Sequence, residues 1–197
     1  MANEIEKVPT GNLQPNIRNF YNGENGIQVA HADSFTPTIN IILPGSAEKS
    51  TPMNSEYYNL LVGYDPFEHD HILIDRSRAL TEYMAEEVTA KFCGWKDEQL
   101  AEIKKLPTII TCERDRSHID EQQGVLAFIK NIQFRQNGIM IYFQRYYPIP
   151  MGFLQDHAFD LGLYNEWELN RTHWAIKNIN LMEVMMDAGF NIFGTAE

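Results

Sequence analysis

The stretch Gly124 to Pro150, GVLAFIKNIQFRQNGIMIYFQRYYPIP, constrains the fold more than any other part of the chain. Val125, Ala127, Ile129 and Asn131 alternate with Leu126, Phe128, Lys130 and Ile132, so the first half reads as a strand with apolar groups on both faces. Gln136-Asn137-Gly138 supplies the tightest turn signal in the sequence, an Asn-Gly pair whose backbone accepts positive φ. Ile139, Ile141 and Phe143 then alternate with Met140, Tyr142 and Gln144. A hairpin apolar on both faces belongs inside a packed sheet or barrel, not on a solvated edge.

With 197 residues and 44% hydrophobic content the chain can bury a core of its own. A net charge of −11 disfavours sequence-independent binding to a nucleic-acid backbone, which needs a positive field. Its cationic clusters, Arg76/Arg78, Lys104/Lys105 and Arg114/Arg116, are interleaved with acids. Cys93 and Cys112 form no C-x-x-C pair and read as reduced, packed thiols. The opening MANEIEK lacks a signal-peptide pattern, and Ile41-Ile42-Leu43 is far too short to cross a bilayer. A cytoplasmic protein without a membrane partner is the expectation.

Residues 1–54 read as a flexible lead-in, a β arm over 26–43 and a linker. Such an arm has unpaired edges, so it must dock on its own body or on a neighbouring subunit, and a homo-oligomer assembled by strand addition is the expectation. His31 and Asp33 within it read as a solvated face. Residues 55–197 read as one globular domain. Its expected elements are strands at 57–64, 71–74 and 108–112, then the hairpin, then a last strand at 167–176. Helices are expected from Arg76 to about Phe92, closed by Gly94, over a short stretch after Asp97, and over 151–161. A final helix carries Asn180 and Glu183 as cap partners and Gly189 as its stop.

Three clusters could carry chemistry. Glu68-His69-Asp70-His71 contains an H-x-H pair, and His69 and His71 would share a strand face as metal ligands. The loop 113–121 offers Glu113, Asp115, His118 and Asp120, a set that a metal-dependent hydrolase or nuclease could use if the carboxylates converged. Asn170, Arg171, Thr172, His173 and Trp174 combine a guanidinium fork for an anion, hydrogen-bonding side chains and an indole face. The alternative for that strand is a core Trp with Arg171 salt-bridged to an acid. The sequence has no G-x-S-x-G elbow and no glycine-rich phosphate loop, and no cofactor is implied.

Arg78-Ala79-Leu80-Thr81, the Leu106-Pro107 junction, the hairpin ending in Pro148-Ile149-Pro150 and the segment ELNRTHWAIK (168–177) together resemble a group of uncharacterised bacterial proteins. Some of these stand in anti-phage or mobile-element neighbourhoods. The resemblance implies a sensing, adaptor or assembly role and brings no catalytic residues with it.

The expected fold is therefore α+β: a small, mostly antiparallel β-barrel or bent sheet flanked by three or four helices, with an N-terminal β arm. The expected function is a non-enzymatic binding or adaptor/sensor module taking a protein partner or a small anionic ligand at 170–174.

Overall fold

The computed structural model describes residues 56–119, 121–163 and 168–190. The arm at 26–43 and the lead-in lie outside the described residues, as do Asp120 and Trp167. Six strands form one sheet: β1 (Tyr58–Gly63), β2 (His71–Ile74), β3 (Pro107–Cys112), β4 (Gln123–Arg135), β5 (Gly138–Pro150) and β6 (His173–Lys177). Four helices accompany them: α1 (Glu86–Phe92), α2 (Asp97–Ile103), α3 (Met151–Asp156) and α4 (Leu181–Asp187). The strand order is β2-β5-β4-β3-β1-β6.

The α+β class is borne out, and the barrel is not. β2 and β6 stand at opposite edges and do not pair, so the sheet is open and mixed. β1 runs parallel to β3, and every other pairing is antiparallel. Apolar residues on both faces reflect helices on both faces, the other way to bury such a strand. Leu61, Ile110, Val125, Ala127 and Trp174 pack with Val88 and Phe92 of α1 and Ile103 of α2. Tyr58, Leu60, Ile109, Leu126 and Ile149 pack with Leu154 of α3 and with Leu181 and Met185 of α4. Joining parallel strands requires a crossover, and here it comprises β2, α1 and α2.

The expected helix from Arg76 to Phe92 is interrupted. A 3-10 turn at Arg76–Arg78 is capped by Asp75, whose carboxylate accepts the Ser77 N–H, and α1 begins only at Glu86. Between them Leu80 and Tyr83 adopt φ of 58° and 59°, outside the helical region. The segment instead lies along the outer edge of β6, with Leu80 N donating to Trp174 O at 2.8 Å. Covering an edge that would otherwise expose backbone groups outweighs the helical spacing of Leu80, Met84 and Val88. After α1 the left-handed residue is Trp95 at φ 54°, not Gly94; its ring is held edge-on by Phe134 and tilted against Trp174.

The hairpin forms as expected, with a different turn. Arg135 pairs with Gly138, so Gln136 and Asn137 make the loop, and of the three only Gly138 has positive φ, at 155°. A Cβ on Gly138 would stand 2.6 Å from the Ile74 carbonyl oxygen, so close approach of β2 demands the glycine. The last strand is shorter than 167–176, because residues Glu168–Asn170 form a 3-10 turn. The helix over 151–161 stops at Asp156, although Leu161 remains buried. α4 has the expected cap, Glu183 N donating to Asn180 Oδ1 at 3.4 Å. No helix among the described residues is long and apolar enough to cross a membrane.

Candidate functional site

Because β1 and β3 run the same way, their carboxyl ends, Gly63 and Cys112, lie side by side. Loops leaving the carboxyl ends of parallel strands form the crevice in which ligands of open α/β sheets bind. Two of the sequence's candidate clusters meet at this end. Glu113 N donates to Gly63 O at 3.2 Å, which turns the chain over the end of β1. Glu113 Oε1 then accepts from Thr172 N at 2.7 Å and from Thr172 Oγ1 at 2.5 Å. Arg114 donates its backbone N–H to Leu169 O at 2.8 Å and its Nε–H to Asn170 Oδ1 at 2.9 Å. Arg78 Nη1 reaches Thr172 O at 3.3 Å.

Arg171 is half-exposed, and its Nε lies 3.2 Å from Glu82 Oε1 on the segment along β6. Arg78 and Arg114 thus approach the stretch 170–172 from two other parts of the chain, and Arg171 lies within it. The first two are anchored there on neutral acceptors, a carbonyl and an amide. His173 and Trp174 point away from solvent. Trp174 is fully buried, with Nε1 donating to Asn59 Oδ1 at 3.1 Å, and offers no open stacking face.

Behind this surface lies a buried ionic cluster. Glu168 Oε1 is 2.7 Å from Lys177 Nζ and 3.4 Å from His173 Nε2, all three side chains being buried. Lys177 Nζ also donates to Tyr83 O at 2.8 Å, and His173 Nδ1 stands 2.7 Å from Arg171 O. A carbonyl can only accept, so Nδ1–H is the donor in that contact. Burial pulls the Lys177 pKa below its ordinary value, opposed by the Glu168 carboxylate. Burial pushes the Tyr58 phenol well up, and Glu168 adds to that. The cluster fixes the turn before β6 from the inside.

The remaining candidates take other shapes. Asp115 Oδ1 accepts from Ser117 N at 2.9 Å and Ser117 Oγ at 2.5 Å, while Oδ2 is 3.0 Å from His118 Nδ1. These bonds, the Ser117 hydroxyl first, hold the exposed Asp115 carboxyl at about 2. Ser117 Oγ meets the same His118 nitrogen as Asp115 does, whereas a nucleophile relay uses both ring nitrogens. Glu113 faces Thr172 and Asp115 closes its own turn, so these two carboxylates serve different partners; Asp120 is outside the described residues. Cys112 beside them is pushed up by burial and by Asp65, which keeps the thiol protonated.

His69 and His71 stack with ring centroids 5.5 Å apart, and His71 Nδ1 lies 3.0 Å from Asp70 Oδ1. Among the described residues no three His, Cys, Asp or Glu side chains are gathered in a way that could hold a metal ion.

No family model, curated protein or solved structure matches the chain. Arg78 and Glu82 escaped the sequence reading because a helix over 76–92 would have carried them elsewhere. Arg114 escaped because alternating charges in Glu113–Arg116 look like a solvated loop. The signal that could have found them is the pairing of two Arg-rich stretches with the Asn-Arg-Thr of 170–172.

Proposed function

We propose that the protein is a non-enzymatic binding module that takes an anionic group, a carboxylate or phosphate on a partner or small ligand, at the carboxyl end of β1 and β3. The observation that carries this reading is the approach of Arg78 and Arg114 to residues 170–172, the stretch that holds Arg171. Arg171 is the recognition residue, since its planar fork suits a two-oxygen acceptor and half of it faces solvent. Glu82 occupies that fork as an internal carboxylate and must be exchanged for the ligand. Asn170 and Thr172 act as positioning residues, and Trp174 and His173 support them from the core. The resemblance to bacterial proteins of anti-phage and mobile-element neighbourhoods agrees with an adaptor or sensor. Self-assembly through residues 26–43 belongs to the same proposal. Light scattering on the full chain and on a chain lacking residues 1–50 tests it, equal subunit counts removing the arm from assembly.

The site is tested by titrating 15N-labelled protein with inorganic phosphate and with succinate while following arginine Nε–Hε resonances. The Arg171 resonance should shift saturably, and the shift of its neighbours should vanish in Arg171→Ala. Resonances that stay fixed at millimolar anion and low salt would remove the site. An enzyme acting through Glu113, Asp115 and His118 would instead require Glu113 to leave Thr172 and turn toward the Asp115–His118 pair.

A further inference from the structure

A second surface lies on the β2-β5-β4 side of the sheet, away from the candidate site. Between Glu121 and Asp156 the sequence has no acidic residue, in a chain that carries 27 of them. That stretch is the β4–β5 hairpin, and its cations are Lys130, Arg135 and Arg145. The charge is therefore segregated: a strongly acidic protein presents one acid-free hairpin.

The hairpin face opposite α1 and α2 is also built in a particular way. Ile139, Ile141 and Phe143 of β5 point into the core beneath α1 and α2, so Met140, Tyr142 and Gln144 point the other way. The core formed with α3 and α4 includes none of these three residues. On this face the rings form a row. His69 stacks on His71, with 24° between the ring planes, and the His71 ring lies 5.6 Å from that of Tyr142. Arg135 Nη2 donates to the Tyr142 hydroxyl at 3.1 Å and to Gln133 Oε1 at 2.9 Å. Arg145 Nη1 donates to Pro66 O and His69 O, which fixes the loop carrying the first ring. Further along β5 the exposed Tyr146 ring stands edge-on to Phe128.

We infer that this face binds single-stranded nucleic acid, the bases stacking along the row of rings and the phosphates meeting Arg135 and Lys130. Two features select this partner over an acidic peptide. Planar rings in series gain from planar bases, which a peptide of Asp and Glu lacks, and such stacking tolerates any base. Amide groups at Gln133 and Gln144 can meet base edges as donor and acceptor. Glu68 and Asp70 flank His69, and the Asp70 carboxylate is engaged by His71 Nδ1. The net charge of −11 does not forbid the interaction, because at about 0.1 M salt charges more than about 10 Å away are screened.

The test is fluorescence anisotropy of the full chain with labelled oligo-dT and oligo-U, and with a labelled polyglutamate of equal length as the competing class. The oligonucleotides should bind with a log–log salt slope of about −1.4, two phosphates at about −0.7 each. Tyr142→Ala should weaken binding about tenfold or more, Tyr142→Phe should restore most of it, and Arg135→Glu should abolish it. Arg135 is exposed, so that variant keeps the test valid even where Tyr142→Ala fails to fold. Polyglutamate binding in preference to oligonucleotide would overturn the inference in favour of an acidic protein partner. No oligonucleotide binding, or binding indifferent to Arg135→Glu, would overturn it outright.

Discussion

Trp174 donates its indole N–H to Asn59 Oδ1 at 3.1 Å, across 115 residues of chain and wholly inside the core. Asn59 returns both amide protons, to Ile103 O and Thr108 Oγ1, each at 3.1 Å. One buried amide therefore ties together β1, the end of α2, β3 and β6. Asn59→Leu removes the partners of three buried groups at once and should cost several kcal/mol, each unsatisfied group contributing about 1–3 kcal/mol. Paired with Trp174→Phe in a double-mutant cycle by chemical denaturation, it should show a coupling well above the error. Additive losses would mean the bond contributes nothing of its own.

Lys177 and Glu168 are buried against each other at 2.7 Å. Lys177→Met leaves the carboxylate without its closest cation and should destabilise by about 3–5 kcal/mol. The double variant Glu168→Gln/Lys177→Met should recover part of that loss, because it removes both charges from the core. Urea melts of the three variants decide the matter, and a double variant worse than either single would contradict it.

The Arg171–Glu82 pair behaves differently, since Arg171 is half-exposed and Glu82 partly so, the contacting Glu82 Oε1 alone being shielded. Breaking a pair at the surface costs about 0–1 kcal/mol, and Gln keeps an acceptor oxygen in the shielded place, so Glu82→Gln should melt within a few degrees of the native chain. Its affinity for phosphate should rise, because the internal competitor is gone. Arg171→Ala should lose the affinity with an equally small change in stability. A large fall in melting temperature for Arg171→Ala would assign the arginine to the scaffold.

Gly138→Val places a branched side chain at φ 155°, with its Cβ 2.6 Å from Ile74 O. The expected loss is about 1 kcal/mol or more, centred on β2. Hydrogen exchange should report faster opening of Leu73 and Ile74, and unchanged protection there would show that β2 gives way without cost.

Asp115 is held at about 2, below its usual 3.8, chiefly by the Ser117 hydroxyl. A lowered carboxyl contributes stability that is present above the unfolded value of about 4 and lost as pH falls through about 2. Ser117→Ala should therefore move the Asp115 carboxyl upward in an NMR titration and shift acid unfolding of the loop to higher pH. A midpoint unchanged by Ser117→Ala would mean that His118 or the backbone N–H does the holding.

Much of this arrangement was legible in the residues. Val125 to Phe143 declared a hairpin buried on both faces, and Asn180 with Glu183 declared the start of α4. The barrel did not follow, because two-faced burial is the same signal whether the second layer is a sheet or helices. The segment 79–85 was misread for a tertiary reason: Leu80 N bonds to Trp174 O, a partner that no local pattern contains. The Asn137-Gly138 turn slipped because β2 comes close enough to Gly138 to claim the glycine for itself. At the site, the spacing within 170–174 was visible. The bonds to Arg78 and Glu82 were not, since they depend on the segment that lies along β6, and those to Glu113 and Arg114 were not, since they depend on the parallel pairing of β1 with β3.

That pairing has a consequence for how the molecule comes into being. β1 is the first described strand to be made, yet one neighbour carries Thr108, 49 residues onward from Asn59, and the other carries Trp174, 115 residues onward. At ordinary translation speed the second neighbour arrives on the order of ten seconds later. Until then Leu60, Leu61 and Val62 form a sticky edge on the nascent chain, and loop-closure entropy opposes any shortcut. Non-local pairing of this kind slows folding in general and leaves the edge open to other chains during synthesis. A chain cut before His173 would carry that open edge permanently, and its expected fate is pairing with other chains.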